Sequence, residues 1–163
     1  MRDPKVTSRI MAAVRSRDTR PEIALRSILW RRGLRFRVRS KLTGKPDIVF
    51  SSARLAVFVD GDFWHGNAWR TRRLPSFEAQ FERINNAAFW RAKIEANMAR
   101  DQRVNTELAA SGWQVYRVFE SRLKDEPDLV ADEVADLVRR RRATRRTASV
   151  TRASRSSKIT IAR

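Results

Sequence analysis

Residues 46–66 read PDIVFSSARLAVFVDGDFWHG. Two short runs in it, "PDIVF" and "LAVFV", are continuously apolar, the pattern of strands buried on both faces of a sheet. Pro46 cannot donate a ladder hydrogen bond, so the first strand effectively begins at Asp47. Asp60 ends the second. If these strands pair, two carboxylates meet at one sheet rim, where oxygen ligands suit a hard cation such as Mg²⁺. Either residue alone is unremarkable, since Asp is common in turns and caps. Phe63, Trp64 and His65 follow at once, and His65 is the only histidine of the chain.

Outward from this stretch the chain alternates helices and strands. "VTSRIMAAVRS" spaces Ile10, Met11 and Val14 helically. "RPEIALRSILWRRG" is a stronger helix, with Pro21 in its first turn, Ile23, Leu25, Ile28 and Leu29 repeating, and Gly33 as C′ residue. "RFRV" reads as a further extended run. "NNAAFWRAKIEANMARDQRVNTELAASG" is a long helix ended by Gly112, "WQVYRVF" a strand, and "EPDLVADEVADLVRRRR" a final amphipathic helix. The order predicts an α/β domain with a central mixed sheet of about four strands and helices on both faces.

The chain of 163 residues carries 36 Lys+Arg against 18 Asp+Glu, a formal charge of +18. Such a field favours polyanions, and arginine matches phosphate bidentately. Basic composition by itself would equally suit a ribosome-like protein. With no cysteine and one histidine, disulfides and Cys/His zinc cages are excluded. The first residues, "MRDPKVTSRI", lack the apolar core of a secretory signal, and no apolar run approaches membrane-spanning length. The expectation is a cytoplasmic, monomeric protein acting on nucleic acid and not on membranes.

The charge is uneven. Residues 139–163, "RRRRATRRTASVTRASRSSKITIAR", hold ten basic residues and no acidic one. Few apolar side chains are available there to offset the entropy of ordering. The expected organisation is a folded domain over 1–138, still at +8, and a disordered basic tail over 139–163. The tail is either inert or a source of nonspecific DNA affinity.

Asp101 is out of pattern. The apolar stripe of the long helix runs Trp90, Ile94, Met98, Val104, Leu108, and a step of three from Met98 lands on Asp101. A carboxylate on a core-facing position needs a partner. Periodicity leaves two candidates about equal: an arginine, with Arg100 and Arg103 nearby, or His65, which a carboxylate would orient as a base. Glu22, early in its helix, is explained as well by the helix dipole as by chemistry. Phe63 and Trp64 are core aromatics by default. Beside a metal rim on a basic protein they could also wedge between base steps.

The motifs "GKPDIVF", "VFVDGDFWHG", "FWRAKIEANMARD" and "GWQVYRVFES", in that order and spacing, resemble the very short patch repair (Vsr) endonucleases, from about Thr7 to Leu123. The resemblance implies a PD-(D/E)xK-type nuclease core and a Mg²⁺-dependent enzyme. It implies nicking of one strand of double-stranded DNA at T·G mismatches left by deamination of 5-methylcytosine, with mismatch-repair proteins as partners. It implies Asp47 and the backbone carbonyl of Val59 as metal ligands, with Asp60 near the metal. It implies His65 as general base, Asp101 as its orienting partner and Glu22 as an acidic support. Phe63, Trp64 and Trp90 match aromatics that wedge into the duplex, and Met11 matches an N-terminal residue that enters from the other groove. One departure is clear. Where many relatives carry structural zinc ligands, this chain has Asp62, Asn67, Trp69 and Ser121, so no structural zinc is expected. Rival readings are a related nuclease of broader specificity, as in restriction or defence, and a catalytically silent DNA-binding protein.

Overall fold

The computed structural model describes residues 17–156, with side chains described for residues 17–148. The helix expected over residues 6–16, and Met11 with it, lie outside the described residues.

Helix α1 (Arg20–Arg31) opens with Thr19 as N-cap and Pro21 in its first turn. It closes in a Schellman motif: Gly33, at φ +78, donates to Trp30 O, and Leu34 donates to Leu29 O. Leu25 and Leu29 are fully buried, whereas Ile23, expected on the same apolar face, is exposed.

Strands β1 (Ile48–Phe50) and β2 (Leu55–Asp60) pair antiparallel, Ile48 opposite Val57 and Phe50 opposite Leu55. Strand β3 (Gln114–Phe119) pairs parallel with β2, Leu55 opposite Gln114 and Asp60 opposite Phe119. The sheet is mixed, in the order β1-β2-β3. Its three strands, among the described residues, correct the expected four. The run "RFRV" contributes only the bridge Arg37↔Val49, with both its hydrogen bonds at 2.9 Å. Arg39 then takes a positive φ of 61° and turns the chain out of register.

Between β2 and β3 run a short helix α2 (Ala68–Thr71), a 3₁₀ turn (Glu78–Phe81) and the long helix α3 (Ala87–Ala110). Helix α3 ends like α1, with Gly112 donating to Ala109 O and Trp113 to Leu108 O. After β3 come α4 (Glu120–Asp125) and α5 (Pro127–Ser156).

The two faces of β2 sort by its period of two. Leu55 and Val57 join Ile48, Phe50 and Val118 in a core closed by Leu25 and Leu29 of α1 and by Val130, Val134 and Val138 of α5. Ala56 and Phe58 face the other way, onto Val104 and Leu108 of α3. Helices thus cover both faces. The same alternation carries Asp60 onto the α3 side, which decides its neighbours.

The last helix overruns the expected boundary. Residues 139–156 continue α5 where a disordered tail was expected. Arg141 donates from Nε to Ala53 O and from Nη2 to Gly112 O, and Arg142 donates to Ser52 Oγ. These bonds fasten the first turn of the basic segment to the domain, and Arg and Ala, frequent in it, are good helix formers.

Candidate active site

The site gathers where β2 and β3 end and β1 begins. Asp47 precedes β1, and its backbone N–H donates to Val57 O at 3.0 Å, so the ladder fixes its position. Its carboxylate Oδ2 accepts the Val59 N–H at 2.8 Å. Oδ1 accepts no hydrogen bond from the described residues. Burial pushes the carboxyl from 3.8 to about 6, and the charges of Glu22 and Asp60 push the same way, against the Val59 hydrogen bond and Arg26. Arg26 does not touch the carboxylate; it donates to the Asp47 carbonyl at 3.1 Å.

Glu22 is buried and bonded as a helix cap. It accepts from the Asp18 N–H and the Thr19 hydroxyl, both at 2.9 Å, and from Arg26 at 3.0 Å. Its charge reaches Asp47 through space.

On the α3 side, His65 Nδ1 lies 2.5 Å from Asp101 Oδ2 and 3.7 Å from Asp60 Oδ1. A carboxylate against Nδ1 fixes the proton there and leaves Nε2 as an acceptor, the arrangement of a positioned general base. Of the two partners weighed for Asp101, the structure supplies both. The main arginine, however, is Arg117 of β3. Its Nη1 donates to both Asp60 oxygens, at 2.9 and 3.0 Å, its Nη2 is 3.3 Å from Asp101 Oδ1, and its Nε donates to Asn105 at 2.9 Å. The guanidinium lies 4.2 Å above the Phe58 ring. Arg100 reaches Asp101 only at 4.0 Å.

Sequence reasoning missed Arg117, although Trp113, Val115 and Arg117 alternate onto the α3 side as Asp60 does. Asp60, expected near a metal, has both oxygens on that guanidinium. The two rim carboxylates are therefore unlike. Asp60 has both oxygens on an arginine, whereas Asp47 keeps an open oxygen and has no cation in contact with its carboxylate among the described residues.

Among the described residues no group of three or more His, Cys, Asp or Glu side chains could hold a metal ion. The oxygen donors at hand are Asp47 and the adjoining Val59 backbone. A half-buried carboxylate with one free oxygen, in a negative local field, fits a hard cation that keeps much of its water, as Mg²⁺ does.

Hydrogen bonds tie the loop after β2 to the start of α4. Asp62 Oδ1 accepts from Ser121 Oγ at 2.7 Å and from Asn67 Nδ2 at 2.5 Å, and its Oδ2 accepts the Ser121 N–H at 3.0 Å. Three of the four residues where the resemblance would place zinc ligands, Asp62, Asn67 and Ser121, are thus joined directly by hydrogen bonds. Trp69 stands apart, under the Arg70 guanidinium at 4.4 Å. Gly66, at φ +76, is where the loop meets α3: a Cβ there would lie 2.5 Å from Met98 Sδ. Met98, placed in the core stripe by periodicity, is 41 % exposed for this reason of position, at the edge of the loop.

Phe63, Trp64 and Trp90 form a three-ring cluster with centroids 5.3–5.8 Å apart in edge-to-face geometry. All three are half-buried, and Phe89, 5.2 Å from Trp90, is exposed. Asn97 of α3 fixes the loop by donating to the Trp64 carbonyl at 3.1 Å.

A histidine held by a carboxylate, the Asp47 carboxyl at the start of the neighbouring strand and a strongly basic chain are groups that suit hydrolysis of a nucleic-acid phosphodiester. Comparison with known proteins agrees. The family model described as "DNA mismatch endonuclease Vsr" matches residues 1–71. The "Type II nicking enzyme V.XorIIP" of Xanthomonas oryzae pv. oryzae is 49 % identical over 117 residues, 71 % of this chain and 80 % of the relative. "Type II nicking enzyme V.NmeDIP" of Neisseria meningitidis serogroup C is 38 % identical over 137 residues, 83 % of this chain and 88 % of the relative. The "DNA mismatch endonuclease Vsr" of Escherichia coli is 33 % identical over 135 residues, 82 % of this chain and 81 % of that protein. The chain belongs to the Vsr family of DNA endonucleases. No helix among the described residues is long and apolar enough to cross a membrane.

Proposed function

We propose that this protein nicks one strand of duplex DNA at T·G mismatches arising from 5-methylcytosine deamination, by Mg²⁺-dependent hydrolysis on a PD-(D/E)xK-type core. The observation that carries the chemistry is the 2.5 Å contact between His65 Nδ1 and Asp101, which leaves Nε2 to take a proton from water. Asp47 and the Val59 carbonyl would hold the cation. When bound, it would supply positive charge at the scissile phosphate and help water ionise. His65 accepts the proton, and the imidazolium so formed faces Asp101 and Asp60. Arg117 keeps those two carboxylates together, so that their charge is organised before the reaction begins.

The aromatic cluster supports the mismatch reading. Phe63, Trp64 and Trp90 stand on the same loop and helix as the base, and a mispaired step is cheaper to unstack than a paired one. A second reading is favoured by the names of the relatives, several of which are type II nicking enzymes: nicking tied to a sequence context, as in restriction or defence. The test is strand nicking on duplexes that differ only by one T·G pair, in several flanking contexts, with Mg²⁺ and with EDTA. Cutting only at T·G and only with Mg²⁺ is expected. Equal cutting of the paired duplex would favour the broader nuclease, and cutting in EDTA would remove the metal from the account.

A further inference from the structure

Helix α5 runs antiparallel to β2 and β3. It starts beside α4, at the end of the sheet where Asp60 lies, and by Arg141 it has reached Ala53 and Gly112 at the opposite end. Among the residues whose side chains are described, Val138 is its last buried one. Beyond Arg142 the helix continues to Ser156, about 20 Å at 1.5 Å per residue.

No acidic residue follows Asp136 in the chain. Up to Val138 the inward stripe is Val130, Val134 and Val138; one turn further, the same direction is taken by Arg141, Arg142 and Arg145. Arg140, Arg145 and Arg146 are exposed, and no carboxylate among the described residues pairs with them. From Arg139 to Arg146 the helix is cationic on every side and offers another protein no apolar face. Its charge complements a phosphate backbone.

We propose that this extension is a second DNA-binding element, which grips the flanking part of the same duplex whose mismatch lies in the active site. The inference rests on the protein's acting on duplex DNA, and it adds a contact outside the catalytic footprint. The length of β2, six residues, puts the root of the extension about 20 Å from Asp60 along the sheet. Its far end then lies about 40 Å away, on the order of 12 base pairs of B-form duplex. The extension thus contributes affinity and residence and leaves the chemical step untouched.

The experiment compares the full chain with a truncation after Thr144 and with the full-length triple variant Arg140→Gln/Arg145→Gln/Arg146→Gln, which keeps helix-forming residues. Circular dichroism first verifies that the domain is intact in each. Binding is measured in EDTA over a salt series on a duplex of about 12 base pairs and one of about 40, each centred on a T·G pair, the lengths set by that reach. Truncation removes Arg145, Arg146, Arg152, Arg155, Lys158 and Arg163.

On the long duplex the slope of log affinity against log salt should become less steep by about 2–5 for the truncation and by about 2–3 for the triple variant. On the short duplex both should match wild type. Single-turnover nicking at saturating DNA should be unchanged. Equal losses on both duplexes would mean that the extension touches the catalytic segment or a second duplex in trans, and would overturn the proposal. An unchanged slope on the long duplex would also overturn it. Because these are binding measurements in EDTA, a protein that nicks no mismatch but shows the length-dependent loss would refute the mismatch reading and leave this inference standing.

Discussion

Replacing Asp47 by Asn should stabilise the metal-free protein while abolishing its activity. In the folded chain this carboxyl titrates near 6, raised from 3.8 chiefly by burial and further by Glu22 and Asp60. The unfolded chain sheds the proton near 3.8. Between those values the native state holds more protons, so stability falls as pH rises through the window, and the whole deficit is present at pH 7. At 1.36 kcal/mol per pKa unit this amounts to about 2–3 kcal/mol, with allowance for partial solvent screening. Asparagine removes the charge and keeps an acceptor for the Val59 N–H. Urea unfolding in EDTA, followed by tryptophan fluorescence, should place Asp47→Asn about 2–3 kcal/mol above wild type at pH 7. The two should converge near pH 4. Mg²⁺ at about a hundred times its Kd should raise wild type by ~2.7 kcal/mol and leave the variant unmoved. A variant no more stable than wild type in EDTA at pH 7 would refute the claim that burial of this carboxylate outweighs the charges and hydrogen bond that favour it.

Other expectations follow from neighbouring residues. Asp101→Asn should slow single-turnover nicking by about 10²–10⁴ through loss of the oriented base, with DNA affinity in EDTA unchanged. Arg117→Met leaves Asp60 and Asp101 facing each other without their cation and should destabilise the fold by about 3–5 kcal/mol, with Arg117→Lys recovering part of that in the same urea titration. Asp62→Ala removes acceptors for Ser121 and Asn67 and should destabilise the fold by about 2–4 kcal/mol in thermal or urea unfolding, while zinc chelation leaves wild type unaffected. Gly66→Ala combines a positive φ with contact on Met98 and should lower stability by about 1–2 kcal/mol. The addition of Met98→Ala should relieve the contact and leave the backbone strain.

The elements were legible where local chemistry dictates them. Pro21, Gly33 and Gly112 mark helix ends that the structure closes with the expected hydrogen bonds, and the two apolar runs became buried strands. The step from Met98 to Asp101 pointed at a carboxylate needing a partner, and His65 was a named candidate. Arg117 was not legible from that helix, because its partners lie 57 and 16 positions away, and only alternation along β3 places it on their side. The lone bridge of "RFRV" depends on a positive φ at Arg39, which composition does not announce. The continuation of α5 was hidden by an apolar count that overlooks arginine's helix propensity and the carbonyl oxygens of Ala53 and Gly112, which Arg141 caps from afar.

The central claim is that the imidazole of His65, held by Asp101, takes the proton in strand cleavage. Single-turnover nicking of a T·G duplex by wild type and by His65→Ala, each saturated with DNA in Mg²⁺, tests it most directly. The account predicts a rate lower by about 10²–10⁴ in the variant at unchanged DNA affinity. Nicking at the wild-type rate without the imidazole would contradict it.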